Sequence, residues 1–442
     1  MERETPLLQL TARTPTNIAV IKYWGKRDLK LNLPINSSVS ITLNTDDLAT
    51  TTTATASHDY QNDALFLNGV EEDVTASKRM LAVFSAVRAC AGDVRDSSGA
   101  ILVSREQWKH LKVRVVSENN FPTAAGLASS AAGYAALTYC LAQLMNANLV
   151  GSPYGDLSCI ARMGSGSACR SLAGGFVAWD MGSRADGADS AARQGAPASH
   201  WPELQVLILV VSDKKKTVSS TAGMVTSVET SPLLAHRAAA IVPERMSRME
   251  AAYLARDFPA FARLTMEDSN QFHATCLDTH PPVFYLNDVS RSIIGMVHAF
   301  NEAVGEVRLG YTFDAGPNAV LVTLGQHMPQ VLAAVLAAFP PPLLGGAGYV
   351  SRPALHKAAK ATAPPADFMA AYRRAPDSAA VRYLYHTNVG PGAAVLDPSK
   401  PPAGKDGLPL KRAPGGPSRG TLAAIFAATA VVVATARARR RS

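Results

Sequence analysis

The chain has 442 residues, 47% of them hydrophobic, and a formal net charge of +8, a composition that suits two or three domains with buried cores and argues against a disordered chain. The charge is uneven: from Lys400 onward nine Lys or Arg stand against one acid, Asp406, so the first 399 residues are formally neutral, which argues against a nucleic-acid-binding body. Five scattered cysteines without CxxC spacing argue against a structural zinc site and for a reducing compartment.

The opening MERETPLLQLTARTPTN is too polar and too interrupted by proline for a secretory signal. NIAVIKYWG (17–25) and SVSITLN (38–44) predict strands, the second alternating at Val39, Ile41 and Leu43. HLKVRVVSEN (110–119) alternates at Leu111, Val113 and Val115 and runs into PTAAGLASSAAG (122–133), where almost every residue is Ala, Gly, Ser or Thr. SSAAGYAALTYCLAQLM (129–145) has the apolar density of a buried helix. GGFVAWDMG (174–182) predicts a strand, and the polar stretch 183–200 a loop at a domain boundary. ELQVLILVVSD (203–213) opens a second unit with a buried strand; helical patterns follow over 233–271 and 287–304, then a strand, turn and strand in VRLGYTFDAGPNAVLVTL (307–324). Region 337–366, rich in Pro, Gly and Ala, predicts poorly, and no solenoid period is apparent. Strands mixed with helices in both halves predict an α+β architecture, with an N-terminal unit over 1–200, a C-terminal unit over 201–398 and a basic tail over 399–442.

A strand that leads through small residues to a helix start forms a phosphate cradle. The first helical turn offers unpaired N–H groups and the positive end of the dipole. Gly126 and the alanines let phosphate oxygens approach, and Ser129 and Ser130 add hydroxyls for phosphate or a metal ion. The same small residues would also let a helix pack closely on a sheet, and adjacent serines are ordinary caps. No GxxxxGK[ST] is present, which excludes a Walker-type loop. KYWGK places Lys22 and Lys26 around Tyr23 and Trp24, as an anion clamp or as an amphipathic surface segment. GSGSACR runs through Ser165 and Ser167 to Arg170, which can hold a carboxylate or phosphate by paired hydrogen bonds; the alternative is a tight packing turn. FDAGPN offers Asp314, either as a base or as a residue bonding its own turn.

PTAAGLASSAAG resembles the ATP-binding loop of the GHMP kinase superfamily, with its PxxxGLxSSA core. TARTPTNIAVIKYWGKRDLKLNLPINSSVSITLN (11–44), ARMGSGSACRSLAGGFVAWDMG (161–182), VVSDKKKTVSSTAGM (210–224), MEDSNQFHATCLD (266–278) and YTFDAGPNAVL (311–321) resemble the mevalonate diphosphate decarboxylase family, in the family's order. The resemblance implies a GHMP kinase-like two-domain fold, its N-terminal unit sharing the fold of a ribosomal-protein domain and its C-terminal unit a ferredoxin-like α/β sandwich. It implies that ATP phosphorylates the tertiary 3-hydroxyl of mevalonate 5-diphosphate, that phosphate departs, and that loss of carbon dioxide leaves isopentenyl diphosphate for isoprenoid and sterol synthesis.

By the same resemblance Asp314 is the general base and Lys22 lies close to the catalytic centre. Arg170 and Ser167 lie against the carboxylate and diphosphate, Asn17 helps orient the carboxylate, and Tyr23, Trp24, Lys26, Ser165 and Ser220 are further substrate contacts. ATP with Mg2+ is expected on Asn119, Pro122, Ala125, Gly126, Leu127, Ser129 and Ser130, with one of the two serines as candidate metal contact and the ion otherwise held by phosphates and water. His273 is read as a packed, structural residue. A cytoplasmic homodimer is implied, with a peroxisome-type organelle as the alternative location.

The tail departs from the family: TLAAIFAATAVVVATA (421–436) precedes RARRRS. As a helix it would span about 24 Å, short of the roughly 30 Å hydrocarbon core, so a loosely ordered extension is favoured over a membrane anchor. The nearest rival function is a GHMP small-molecule kinase, such as a mevalonate or phosphomevalonate kinase, which would stop at the phosphorylated product. A rival of another class is an RNA-binding module, which the neutral body disfavours.

Overall fold

The computed structural model describes residues 7–121, 129–212, 217–342, 348–397 and 401–410. Its first sheet has six strands in the order Ala394–Val395, Leu8–Pro15, Ala49–Ser57, Lys112–Asn119, Ala64–Leu67 and Val70–Glu72. All neighbours are antiparallel except Lys112–Asn119 with Ala64–Leu67. The run ATTTTATAS suits its central position because β-branched threonines fit a pleated strand, and Thr11–Thr53 and Thr52–Ser117 hydroxyl pairs, each 2.8 Å, tie it to both neighbours. The helices Lys78–Ala89, Ser129–Leu144 and Leu157–Gly164 contribute Val83, Leu141 and Ile160 to a core shared with Ala54 and Val113 of that sheet.

A second sheet orders Ala192–Ala196, Phe176–Trp179, Ser38–Thr42 and Asn17–Ile21, all antiparallel. Its outer strand falls inside the stretch 183–200, for which the sequence predicts a loop. ARQGA lacks alternating apolar residues because it is an edge strand whose side chains are mostly accessible.

The third sheet orders Leu309–Phe313, Ala319–Leu324, Leu204–Val210 and Tyr383–Asn388, again antiparallel. Leu204–Val210 is central and almost wholly buried, which explains its unbroken apolar run. The helical region expected over 233–271 is built of Pro232–His236, a π-helical turn Arg237–Ile241, Val242–Ala255 and Phe258–Asp278. Its last break has a local cause: Arg256 takes a left-handed φ of 54° and the Asp257 side chain caps the next helix by accepting the Ala260 N–H at 3.0 Å.

The halves share a core. Ile18, Val39 and Phe176 pack with Val206, Tyr253 and Phe261, and the Phe176 and Tyr253 rings stack with centroids 4.7 Å apart. After Asn388 the chain returns to the first half: Gly390 exchanges backbone bonds with Thr42 and Gly175, and Ala394–Val395 pairs with Leu8–Pro15.

Candidate active site

The strand Asn17–Ile21 shifts register against Ser38–Thr42 between Ala19 and Ile21, an irregularity of the kind that re-aims a side chain. The next residue, Lys22, is 3% exposed at its side chain and donates from Nζ to Asp314 Oδ1 at 2.7 Å. Asp314 stands in the turn between Leu309–Phe313 and Ala319–Leu324, so the pair joins the two halves. Asn318 anchors that turn: its Oδ1 accepts the N–H groups of Val211 (2.8 Å) and Ser212 (2.9 Å), and its Nδ2 donates to the Ser212 carbonyl at 2.9 Å. The turn chemistry of DAGPN thus resides largely in Asn318, while Asp314 aims its carboxylate at Lys22.

A short 3-10 turn, Gly166–Ser171, brings the GSGSACR residues to the same place. Asn17 Nδ2 donates to the Ser167 carbonyl (3.0 Å) and to Ser171 Oγ (2.8 Å). Arg170 is 1% exposed, donates to Ser38 Oγ at 2.7 Å and lies 5.5 Å from the Trp179 ring centre. Burial pushes its guanidinium below the usual value, and the neighbouring Cys169, Asp314 and Tyr23 pull it back. Among the described residues no carboxylate lies within ion-pair distance of Arg170. Asn17 Oδ1, Tyr23 OH and Arg170 Nε are buried without a hydrogen-bond partner among the described residues. Buried polar atoms left unpaired cost about 1–3 kcal/mol each; Tyr23 OH and Arg170 Nε can donate to an anionic group of a ligand, and Asn17 Oδ1 can accept from a hydroxyl.

Tyr23 lies over Gly166, where a Cβ would come 2.7 Å from the ring, and packs on Trp179 with centroids 4.7 Å apart. Burial raises its phenol. Lys26 donates to Asn32 Oδ1 at 2.6 Å; burial, reinforced by the Arg79 charge, lowers its ammonium to about 8. Ser165 and Ser167 are half-buried at the start of that turn, Ser165 as its N-cap, and Ser220 opens the helix Ser220–Thr230. Trp24 corrects the expectation of a substrate contact: it is 2% exposed, its Nε1 donates to Ser227 Oγ at 3.0 Å, and Phe272 and Tyr285 meet its ring edge-on. Its indole is packing.

Two sets of residues near the site have no assigned role in the sequence motifs, although Asp268 lies inside the matched stretch 266–278. Arg79 donates to Thr221 Oγ1 at 3.2 Å and its charge acts on both Tyr23 and Lys26; in the sequence it is one arginine at a helix start. Asp268, Arg237 and Arg245 form a buried ionic cluster behind Lys22. His273 is buried as expected, ringed by Phe272 and Phe313, and burial with the Lys22 charge lowers it to about 3, so the imidazole is neutral.

Of the nucleotide residues, Asn119 ends the strand Lys112–Asn119 and accepts the Thr50 hydroxyl at 2.6 Å, Ser129 opens the helix Ser129–Leu144, and Ser130 is exposed on its first turn. Pro122, Ala125, Gly126 and Leu127 lie outside the described residues, as does the apolar stretch 421–436. Ala131, Ala132, Ala135 and Ala136 are buried, so this part of the small-residue run serves close helix packing. Among the described residues no three His, Cys, Asp or Glu side chains converge as a metal cage, and no helix is long and apolar enough to cross a membrane.

Two family models match the chain: a diphosphomevalonate decarboxylase-like N-terminal domain over residues 14–192 and a mevalonate 5-diphosphate decarboxylase C-terminal domain over 206–396. The diphosphomevalonate decarboxylase of Homo sapiens is 53% identical over 414 residues, covering 92% of this chain and 99% of that protein. The structure of mevalonate diphosphate decarboxylase from Trypanosoma brucei superposes with a TM-score of 0.79 at 37% identity, over 89% of this chain and 99% of that one. A second structure, described as a complex with MVAPP, AMPPCP and magnesium, gives a TM-score of 0.66 at 30% identity over 88% of this chain and 99% of its own. With both halves matched and the Lys22–Asp314 pair and Arg170 brought together between them, this chain belongs to the mevalonate diphosphate decarboxylase family.

Proposed function

We infer that the protein is an ATP-dependent diphosphomevalonate decarboxylase, converting mevalonate 5-diphosphate to isopentenyl diphosphate with release of ADP, phosphate and carbon dioxide. The observation that carries the mechanism is the 2.7 Å contact of Lys22 with Asp314, beside a buried Arg170 whose Nε has no partner among the described residues.

Lys22 stabilises Asp314 as a carboxylate at a point that remains partly accessible. Asp314 takes the proton of the tertiary 3-hydroxyl as that oxygen bonds to the γ-phosphorus and the bond to ADP breaks. Magnesium, when bound with the nucleotide, neutralises charge on the transferring phosphoryl group. The helix start at Ser129–Ser130 supplies N–H groups for the phosphates. The carbon–oxygen bond to the new phosphate then breaks, the bond to the carboxylate breaks, and its electron pair forms the alkene. Arg170 holds the carboxylate in line, on a turn that Asn17 fixes through its bonds to Ser167 and Ser171, while Tyr23, Lys26, Ser165, Ser167, Ser220 and Arg79 hold the diphosphate. Arg170 must orient the carboxylate without holding its charge more tightly in the ground state than in the transition state.

The test is the stoichiometry of the purified protein with mevalonate 5-diphosphate and Mg-ATP: ADP, phosphate and carbon dioxide form in equal amounts. A stable 3-phosphorylated product without gas release would assign the protein to the kinases instead. Two further readings rest on less. The five cysteines are all unpaired and buried, which supports a reducing, cytoplasmic location, checked by fractionation of lysed cells; recovery with membranes would assign a role to the tail. The family resemblance supports a homodimer, checked by sedimentation.

A further inference from the structure

Two neighbouring residues of one helix hold the main chains from which both members of the Lys22–Asp314 pair project. Lys22 lies just past the shifted end of its strand. Its peptide groups are taken up by buried side chains: the N–H donates to Asp268 Oδ2 at 2.7 Å, and the carbonyl accepts from Asn36 Nδ2 at 3.0 Å and Arg237 Nη2 at 3.2 Å. Asp268 and Arg237 are fully buried and joined by two bonds of 2.8 Å. Arg245 reaches Asp268 Oδ1 at 3.1 Å, and Gln271 Oε1 accepts from Arg237 (2.7 Å) and Arg245 (2.9 Å). Arg237 opens the π-helical turn Arg237–Ile241, an irregularity common at functional sites. The next residue of the same helix, Ser269, accepts the N–H of Phe313 on Oγ at 3.0 Å, one position before Asp314.

A buried ion pair is a poor stabiliser, because desolvation offsets its attraction and well-packed apolar replacements are often neutral or better. Here Asp268 through Oδ2 and Arg237 through Nη2 bear on the two peptide groups of one residue, and that residue's side chain meets its partner across the halves. We propose that the helix Phe258–Asp278 is the template that sets the Lys22–Asp314 geometry, with Asp268 and Ser269 as positioning residues for the lysine and the aspartate respectively. The proposal rests on the reading of Lys22 and Asp314 as the catalytic pair.

The test compares full-length Asp268→Asn, Ser269→Ala, Ser269→Thr, Lys22→Met and the double variant Asp268→Asn/Lys22→Met in steady-state kinetics. Asp268→Asn and Ser269→Ala each lower kcat about 10- to 100-fold with both KM values within about threefold, because misplacement costs rate rather than affinity. Ser269→Thr keeps the acceptor and recovers most of kcat. Once the Lys22 ammonium is gone its placement no longer matters, so Asp268→Asn adds less than about threefold to Lys22→Met. Unchanged kcat in Ser269→Ala, or a fully additive loss in the double variant, overturns the proposal. If Asp268→Asn fails to fold, Ser269→Ala and its threonine rescue still decide it. A Lys22→Met enzyme with normal turnover would overturn the catalytic-pair reading itself, whereas a slow Lys22→Met with additive Asp268→Asn overturns the template alone.

Discussion

Burial and the Arg79 charge bring the Lys26 ammonium down to about 8, which puts the proposed diphosphate contact within reach of titration. Below that pH it is charged and attracts the diphosphate; above it the charge is lost from the free enzyme. The KM for mevalonate 5-diphosphate is therefore expected to rise above pH 8 with a smaller change in kcat, and Lys26→Met to start high and lose most of that dependence. Initial rates from pH 7 to 9.5 check this. His273 titrates on the other side of neutrality. With a folded value of about 3 against 6.5 for the free side chain, the unfolded chain binds the extra proton between those limits, so stability falls as the solution is acidified through that window. At pH 5 the difference amounts to about 2 kcal/mol, and His273→Gln should remove most of it in urea unfolding compared at pH 7 and pH 5.

The turn Gly166–Ser171 works because glycine lets it approach Tyr23. Gly166→Ala puts a Cβ 2.7 Å from that ring, and the expected result is a KM for mevalonate 5-diphosphate raised several-fold as the phenol is displaced, with nucleotide affinity retained; calorimetry separates the two. This element was legible in the sequence because its ligands are contiguous, and the strands at Ser38–Thr42, Lys112–Asn119 and Leu204–Val210 were legible because one or both faces are apolar. The edge strand Ala192–Ala196 was not, since accessible side chains leave no apolar period. Nor was the Asp268 cluster: Asp268 stands inside the matched stretch 266–278, but it lies 246 positions from Lys22 and 31 from Arg237, and no local spacing links them. Trp24 shares a motif with Tyr23 and Lys26, but its indole turns to Ser227 and packs among Phe272 and Tyr285. The small residues of the phosphate loop carried two readings, and from Ala131 to Ala136 close packing is the one the structure supports.

At the scale of the molecule, the second half both supplies Asp314 and returns to close the first sheet. Beyond that return, residues 401–410 pack on the first half: Gln9 donates to the Gly404 carbonyl at 3.0 Å, and Tyr60 and Arg114 donate to the Asp406 carbonyl at 3.0 and 2.9 Å. A chain ending at Asp397 should therefore unfold roughly 2–6 °C lower while keeping its kcat, since none of these contacts reaches the site; thermal unfolding beside activity checks it. The central claim is that Lys22 from one half and Asp314 from the other meet as the pair that activates the tertiary alcohol. Its most direct measurement is turnover of Asp314→Asn beside calorimetric binding of nucleotide and mevalonate 5-diphosphate. The account predicts a loss of turnover of about 100- to 10,000-fold with nucleotide affinity nearly unchanged. Turnover close to that of the unmodified enzyme would contradict it and assign the proton to another group.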